Sequence, residues 1–153
     1  MMTMLRQITF IIFLFCSCNE KKSHSQEVYS AHADIRMGTK FYSIYLNEKG
    51  QAYVIKGVGS SFTDTLKVES SDTSKVFKLD SVSVFFENLN KIKAHPILKV
   101  SRGDAPRVEI YYRYQKVYDA HDWDETFWEL FRPIMEEIPK GYNPFRSNDN
   151  PFG

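Results

Sequence analysis

The chain has 153 residues, and its 20 Lys and Arg nearly balance 19 Asp and Glu, for a formal net charge of +1. That balance removes the electrostatic argument for nucleic acid, which calls for a clustered basic face. Twelve Phe, nine Tyr and two Trp supply apolar surface for a core, while the two cysteines, Cys16 and Cys18, both lie near the start and exclude disulfides from the rest.

Residues 1–18 read as a leader. Arg6 and the amino terminus make a positive head, followed by the apolar run Ile8-Thr9-Phe10-Ile11-Ile12-Phe13-Leu14-Phe15 and then Cys16-Ser17-Cys18. A membrane-spanning helix needs about 20 apolar residues. A secretory core needs only about 7–15, which is the length found here.

The segment Leu14-Phe15-Cys16-Ser17-Cys18 resembles the lipobox of bacterial lipoproteins, with small Ser17 before the cysteine. Phe15 stands where that pattern usually carries Leu, Val or Ile. The resemblance implies a signal peptide over residues 1–17 and a diacylglyceryl group on the thiol of Cys18. It also implies export to the cell envelope, with the choice of inner or outer membrane left open. Each buried methylene contributes about 0.8 kcal/mol, so two or more acyl chains hold a protein where one is marginal. Removing residues 1–17 costs one charged side chain, Arg6, and leaves 136 residues with 19 basic and 19 acidic groups. That length suits one domain.

Residues 18–33 carry the lipidated position and then a polar stretch without helical or strand periodicity, which reads as a tether. A domain is expected over 34–140. Residues 41–46 and 51–56 are rich in aromatic and branched side chains, and Asn47-Glu48-Lys49-Gly50 between them suits a hairpin in which Gly50 takes positive φ. Phe62, Asp64, Leu66 and Val68 fall on one face of a third strand, and residues 76–79 make a short fourth.

The first helix is expected to begin at Asp80 or Ser81, whose side chains can cap free N–H groups. Val82, Phe85, Phe86, Leu89 and Ile92 form its apolar stripe, and His95-Pro96 ends it. Residues 108–112 and 117–118 are two further strands. A second helix starts at Asp122-Trp123-Asp124-Glu125, which has the spacing of a capping box. Trp123, Phe127, Leu130, Phe131, Ile134 and Ile138 share one face of it. Pro133 interrupts this stripe, and its continuation in phase predicts a kinked helix. Trp128 and Met135 sit beside the stripe as a candidate exposed edge. The tail, residues 141–153, contains turn formers without a period and is expected to be irregular.

The chemistry-bearing constellations have plain structural accounts. His121, Asp122 and Asp124 crowd a helix start, where capping and the helix dipole explain the aspartates. Scattered His24, His32 and His95 do not make a ligand set. Ser60, Ser61 and Ser101 lack a nucleophile elbow, and Gly57-Val58-Gly59 lacks the third glycine of a dinucleotide fingerprint. Arg102-Gly103-Asp104 and the two Asn-Pro-Phe triplets read as turns. The tyrosines are the remaining group. Tyr111 and Tyr112 point to opposite faces of a strand, so one of them leaves the core. Tyr111, Tyr114 and Trp128 are the candidate partner-contact residues, with a purely structural role for the tyrosines as the competing account.

The expected fold is α+β: a mostly antiparallel sheet of five or six strands with two helices packed on one face. In general look the domain is similar to small Bacteroidota lipoproteins of unassigned activity. The expected function is a lipid-anchored, non-enzymatic binding or accessory module of the envelope. It needs no cofactor, metal or nucleic acid, and touches the membrane through its lipid. An immunity or inhibitor protein that masks a toxin or hydrolase is the alternative, and an enzyme the less favoured class, since no acid–base pair or nucleophile group stands out.

Overall fold

The computed structural model describes residues 29–61, 66–99, 106–121 and 123–146. In chain order the elements are β1 (Ala31–Met37), β2 (Lys40–Leu46), β3 (Gln51–Ser61), β4 (Leu66–Thr73), β5 (Phe77–Lys78), α1 (Val82–Ala94), β6 (Ile97–Leu98), β7 (Arg107–Tyr112), β8 (Gln115–Ala120) and α2 (Glu125–Phe131). Two single 3-10 turns, Lys140–Tyr142 and Pro144–Arg146, follow.

The class is α+β, as the sequence predicts, but the sheet has eight strands rather than five or six. Its order is β4-β3-β2-β1-β7-β8-β6, with β5 also on β3. Every pairing is antiparallel except that of β6 with β8. The two strands the sequence reading lacks are β1 and β6. Strand β1 lies in the middle of the sheet, between β2 and β7, and begins within the stretch expected to be tether. Its inward residues Ala31, Ala33 and Ile35 are buried, so the domain begins before residue 34.

One face of the sheet carries the core. Tyr42, Ile44 and Leu46 of β2, Ala52 and Val54 of β3, Val108, Ile110 and Tyr112 of β7 and Tyr118 and Ala120 of β8 join the apolar stripes of both helices in a single cluster. Alanines at four of the sheet's inward positions leave volume for the Phe85, Phe127 and Phe131 rings in that cluster.

The β2–β3 hairpin forms as its residues predict. Gly50 takes φ +84°, and a Cβ there meets the carbonyl oxygen of Leu79. The Asn47 side-chain oxygen accepts from the backbone N–H groups of Lys49 and Gln51, both at 3.0 Å. Further along β3, Gly57 lies beneath the Phe41 ring of β2, which leaves no room for a side chain.

Helix α1 buries all five residues of its expected stripe, but its start is held differently. Ser81 makes no side-chain cap bond. The backbone N–H groups of Asp80 and Ser81 instead donate to the Glu137 carboxylate, 56 residues beyond Ser81, at 3.0 Å for Ser81. An anion at a helix start is favoured by the helix dipole whichever part of the chain supplies it.

The second helix departs from expectation at both ends. Its N-cap is Asp124, which accepts from the Phe127 backbone N–H at 3.0 Å; Asp122 lies outside the described residues. It stops at Phe131 instead of kinking through Pro133. Proline has no N–H to give the Glu129 carbonyl, and Asn88 of α1 donates to that oxygen at 3.1 Å. The chain then proceeds in turns in which Ile134 donates to Phe131 and Glu137 to Ile134, both at 3.0 Å. Ile134 and Ile138 still reach the core, so the stripe survives although the helix does not.

The tail to residue 146 is part of the packed structure rather than an irregular appendage. Asn143 and Phe145 are buried. The Asn143 amide donates to the Met135 carbonyl at 2.6 Å, while its oxygen accepts from the Phe145 N–H at 2.9 Å. This first Asn-Pro-Phe triplet is a plug over the second helix. The second triplet and Arg102-Gly103-Asp104 lie outside the described residues.

Candidate functional site

Helices cover one side of the sheet, and the other side is where strand alternation sends every second residue of β1, β2, β3 and β7. Four rings line up there in register: Tyr53 of β3 opposite Tyr45 of β2, Tyr45 opposite His32 of β1, and His32 opposite Tyr111 of β7. Successive centroids are 4.7, 5.3 and 4.5 Å apart, with interplanar angles of 5°, 19° and 8°. Lys116 of β8 extends the row, its ammonium 5.5 Å from the Tyr111 centroid. Tyr29 meets Tyr53 edge-on at 4.8 Å.

Because these rings stack on one another, the π-faces of Tyr45, His32 and Tyr111 are occupied within the row. What the row offers outward is ring edges and phenol hydroxyls. Burial pushes the Tyr45 and Tyr53 phenols above their usual range, so both are neutral donors at physiological pH. Such pairs also stabilise the sheet, each contributing roughly 0.2–1 kcal/mol.

Beside the rings lies a row of matched charges. Glu109, only 6% exposed, receives Arg36 at 3.1 Å, Arg107 at 3.3 Å and the Lys116 ammonium. Asp119 receives Arg107 and Lys116, at 3.1 and 3.0 Å. On β1 and β2 the Ser43 hydroxyl donates to Asp34 at 2.5 Å. Burial disfavours the charged form of Lys116, but its bonds to Glu109 and Asp119 outweigh this and hold it protonated well beyond the usual lysine range. For Asp119 burial again opposes charge, and the bonds from Arg107 and Lys116 prevail and depress its carboxyl.

Asp124 is depressed in the same way: burial works against its charge, and bonds from Lys99, the Phe127 N–H and Tyr118 prevail. A carboxyl lowered on folding contributes stability that is complete above its unfolded value near 4 and is lost as pH falls through the lower folded value. Urea denaturation across pH is therefore expected to show a stability loss that begins below about pH 4. Asp119→Asn should lower stability at neutral pH and flatten that acid limb. An unchanged limb would remove Asp119 from the explanation.

A second feature sits at the end of the sheet where β1 begins. The β7–β8 turn places Arg113 at φ 48° and Tyr114 at φ 67°, so two consecutive side-chain-bearing residues occupy the left-handed region. Tight hairpins of this kind favour Asn-Gly. Here Tyr114 stands 93% exposed at the tip. Glu48 of the neighbouring turn accepts from Arg113 at 2.8 Å and from the Tyr112 hydroxyl at 3.2 Å, and the Arg113 bond is the main cause of its depressed carboxyl. The Arg113 N–H donates to the Ser30 carbonyl at 2.7 Å, tying this turn to the residue before β1. Together these turns enclose a cleft of about 480 Å³ lined by Tyr29, Asn47, Glu48, Lys49, Arg113 and Tyr114 among others. Left-handed backbone costs a non-glycine residue about 1–2 kcal/mol. Tyr114→Gly should accordingly raise stability by about 1 kcal/mol in urea melts; a destabilised variant would mean that the ring itself holds the turn.

The sequence-selected contact residues do not form one surface. Tyr111 is half-buried within the ring row, and Tyr114 is at the turn tip of the same hairpin. Trp128 is half-buried on the helical side, edge-on to Trp123 and Phe127, each 5.4 Å away. Trp128 and Met135 pack against the core rather than forming an exposed edge. Cys18 lies outside the described residues. Among the described residues no group of three or more His, Cys, Asp or Glu is placed to hold a metal, and no helix is long and apolar enough to cross a membrane.

The ion-pair row of Arg36, Arg107, Glu109, Lys116 and Asp119 was missed at the sequence level. Its one local signal is alternation: His32, Asp34 and Arg36 on β1, and Arg107, Glu109 and Tyr111 on β7, occupy every second position. No family model, curated protein or solved structure matches the chain.

Proposed function

We propose that this protein is a lipid-anchored, non-enzymatic binding module of the bacterial cell envelope that engages a protein partner with the open face of its sheet. The observation that carries this reading is the row Tyr53–Tyr45–His32–Tyr111–Lys116, which crosses five strands on the side away from the helices. Tyrosine and arginine are enriched where proteins meet, and this face combines tyrosine edges with half-buried Arg36 and Arg107. Its carboxylates and cations satisfy one another, and its buried phenols stay protonated. That arrangement suits recognition by shape and hydroxyl contacts better than proton transfer or nucleophilic attack. The anchor rests on the lipobox-like segment ending at Cys18.

A photo-crosslinking phenylalanine analogue in place of Tyr53 tests the surface, with Val84, 46% exposed on α1, as the control position. Irradiation of intact cells should yield a discrete adduct from position 53 and none from position 84. Equal labelling from both, or none from position 53, would overturn the reading.

A further inference from the structure

The end of the sheet that bears the strained turn is also the end at which the chain enters the domain. Tyr29 and Ser30 lead directly into β1, and both line the cleft beneath the β7–β8 turn. Tyr29 follows Cys18 by eleven positions, a reach of at most about 40 Å. An acylated Cys18 therefore keeps this end near the bilayer, while the far end lies well beyond it. Val68 of β4 pairs with Gly59, roughly 26 Å along β3 from Gln51.

The surface at the entry end has the chemistry of a membrane interface. Tyr114 projects almost wholly into solvent from a turn whose backbone is strained to hold it there. Tyrosine rings partition to the headgroup level because one end is apolar and the other hydrogen-bonds. Flanking Lys49 is exposed and has no ion pair among the described residues, so it is available to phosphate groups. Glu48 and Arg113 neutralise each other at 2.8 Å, which leaves the turn pair with the Lys49 charge.

We propose that the β7–β8 turn and the adjoining Asn47–Gly50 turn rest on the phospholipid headgroups, with Tyr114 inserted at the interface and Lys49 against phosphate. This sets the domain upright on the membrane and fixes the direction in which the open sheet face points. The inference rests on the acylation of Cys18 proposed above.

The test uses the full chain, processed in cells and purified with its lipid, carrying a thiol-reactive fluorophore at either Gln115→Cys, beside the turn, or Val68→Cys, at the far end. The protein is reconstituted into vesicles of phosphatidylethanolamine and phosphatidylglycerol that contain a headgroup-level nitroxide quencher. Quenching at position 115 should exceed that at position 68 several-fold, and adding Tyr114→Gly with Lys49→Gln should bring the two toward parity. Equal quenching in the parent chain, or a preference that survives the double substitution, overturns the docking. So does a position-115 probe that is shielded from solvent without lipid quenching, the result a protein partner at the turn would produce. Reaction of the fluorophore with the parent chain lacking either added cysteine would reveal a free Cys18 thiol. That outcome overturns the anchor and this inference with it, whereas equal quenching of an acylated chain overturns the orientation alone.

Discussion

Replacing Glu109 by alanine is expected to lower the unfolding free energy by about 3 kcal/mol, the low end of the cost of removing one partner from a buried ion pair. The carboxylate is almost shut off from water and is shared by Arg36, Arg107 and Lys116. Without it, three cations face one another across β1, β7 and β8 with Asp119 alone to balance Arg107 and Lys116. These cations are partly exposed, so water relieves some of the repulsion, which places the value at the low end of the range. Glu109→Gln keeps the shape and one acceptor and should cost less. Adding Lys116→Met to Glu109→Ala should restore part of the loss, because one unpaired charge is withdrawn. Equilibrium urea denaturation at neutral pH decides the matter. A loss below about 1 kcal/mol would place the cluster with ordinary surface pairs.

Phe127→Ala should cost about 4 kcal/mol, a large share of the 5–15 kcal/mol by which a domain of this kind is stable. The ring is fully buried and meets Phe131 at 4.8 Å, Trp123 at 5.3 Å, Trp128 at 5.4 Å and Phe145 at 5.9 Å. Its removal leaves a cavity that five rigid neighbours cannot collapse to fill. Phe145 loses one of the rings it is wedged against, so the segment from residue 139 onward should become protease-sensitive before the rest of the domain unfolds. Phe145→Ala, at the rim of the same cluster, should release that segment at a smaller global cost. A Phe127→Ala protein that melts like the parent would mean that the aromatic cluster is loosely packed.

The elements legible in the sequence are those whose determinants are local. The α1 stripe, the Asn47–Gly50 turn and the inward face of the second helix follow from spacing and turn chemistry within a few residues. Strand β1 escaped because two of its three inward positions are alanines, which carry a weak apolar signal and sit next to a polar stretch. Its burial comes from β2 and β7, and the β7 partner of Ala33 is Ile110. The α1 start was assigned to Asp80 or Ser81 because those side chains are near; the carboxylate that serves it is Glu137. The kinked helix failed for a similar reason: Asn88 of α1 satisfies the carbonyl that Pro133 frees, and the chain can then turn while keeping Ile134 and Ile138 inside.

The candidate site divides in the same way. Alternation shows that Tyr111 and Tyr112 face opposite sides, but it does not place Tyr111 against His32, nor His32 against Tyr45. Exposure of Tyr114 follows from its left-handed backbone in a two-residue turn, and Trp128 was drawn inward by Trp123, Phe127 and Phe145. Periodicity, turn residues and capping groups act over one or two helical turns, so residue order alone determined the α+β class, both apolar stripes and the β2–β3 hairpin. Strand register, the ring row and the Glu109 cluster join positions as far apart as Arg36 and Glu109. Their free energy exists only when the whole sheet closes around β1, and that is why tertiary structure alone decided them.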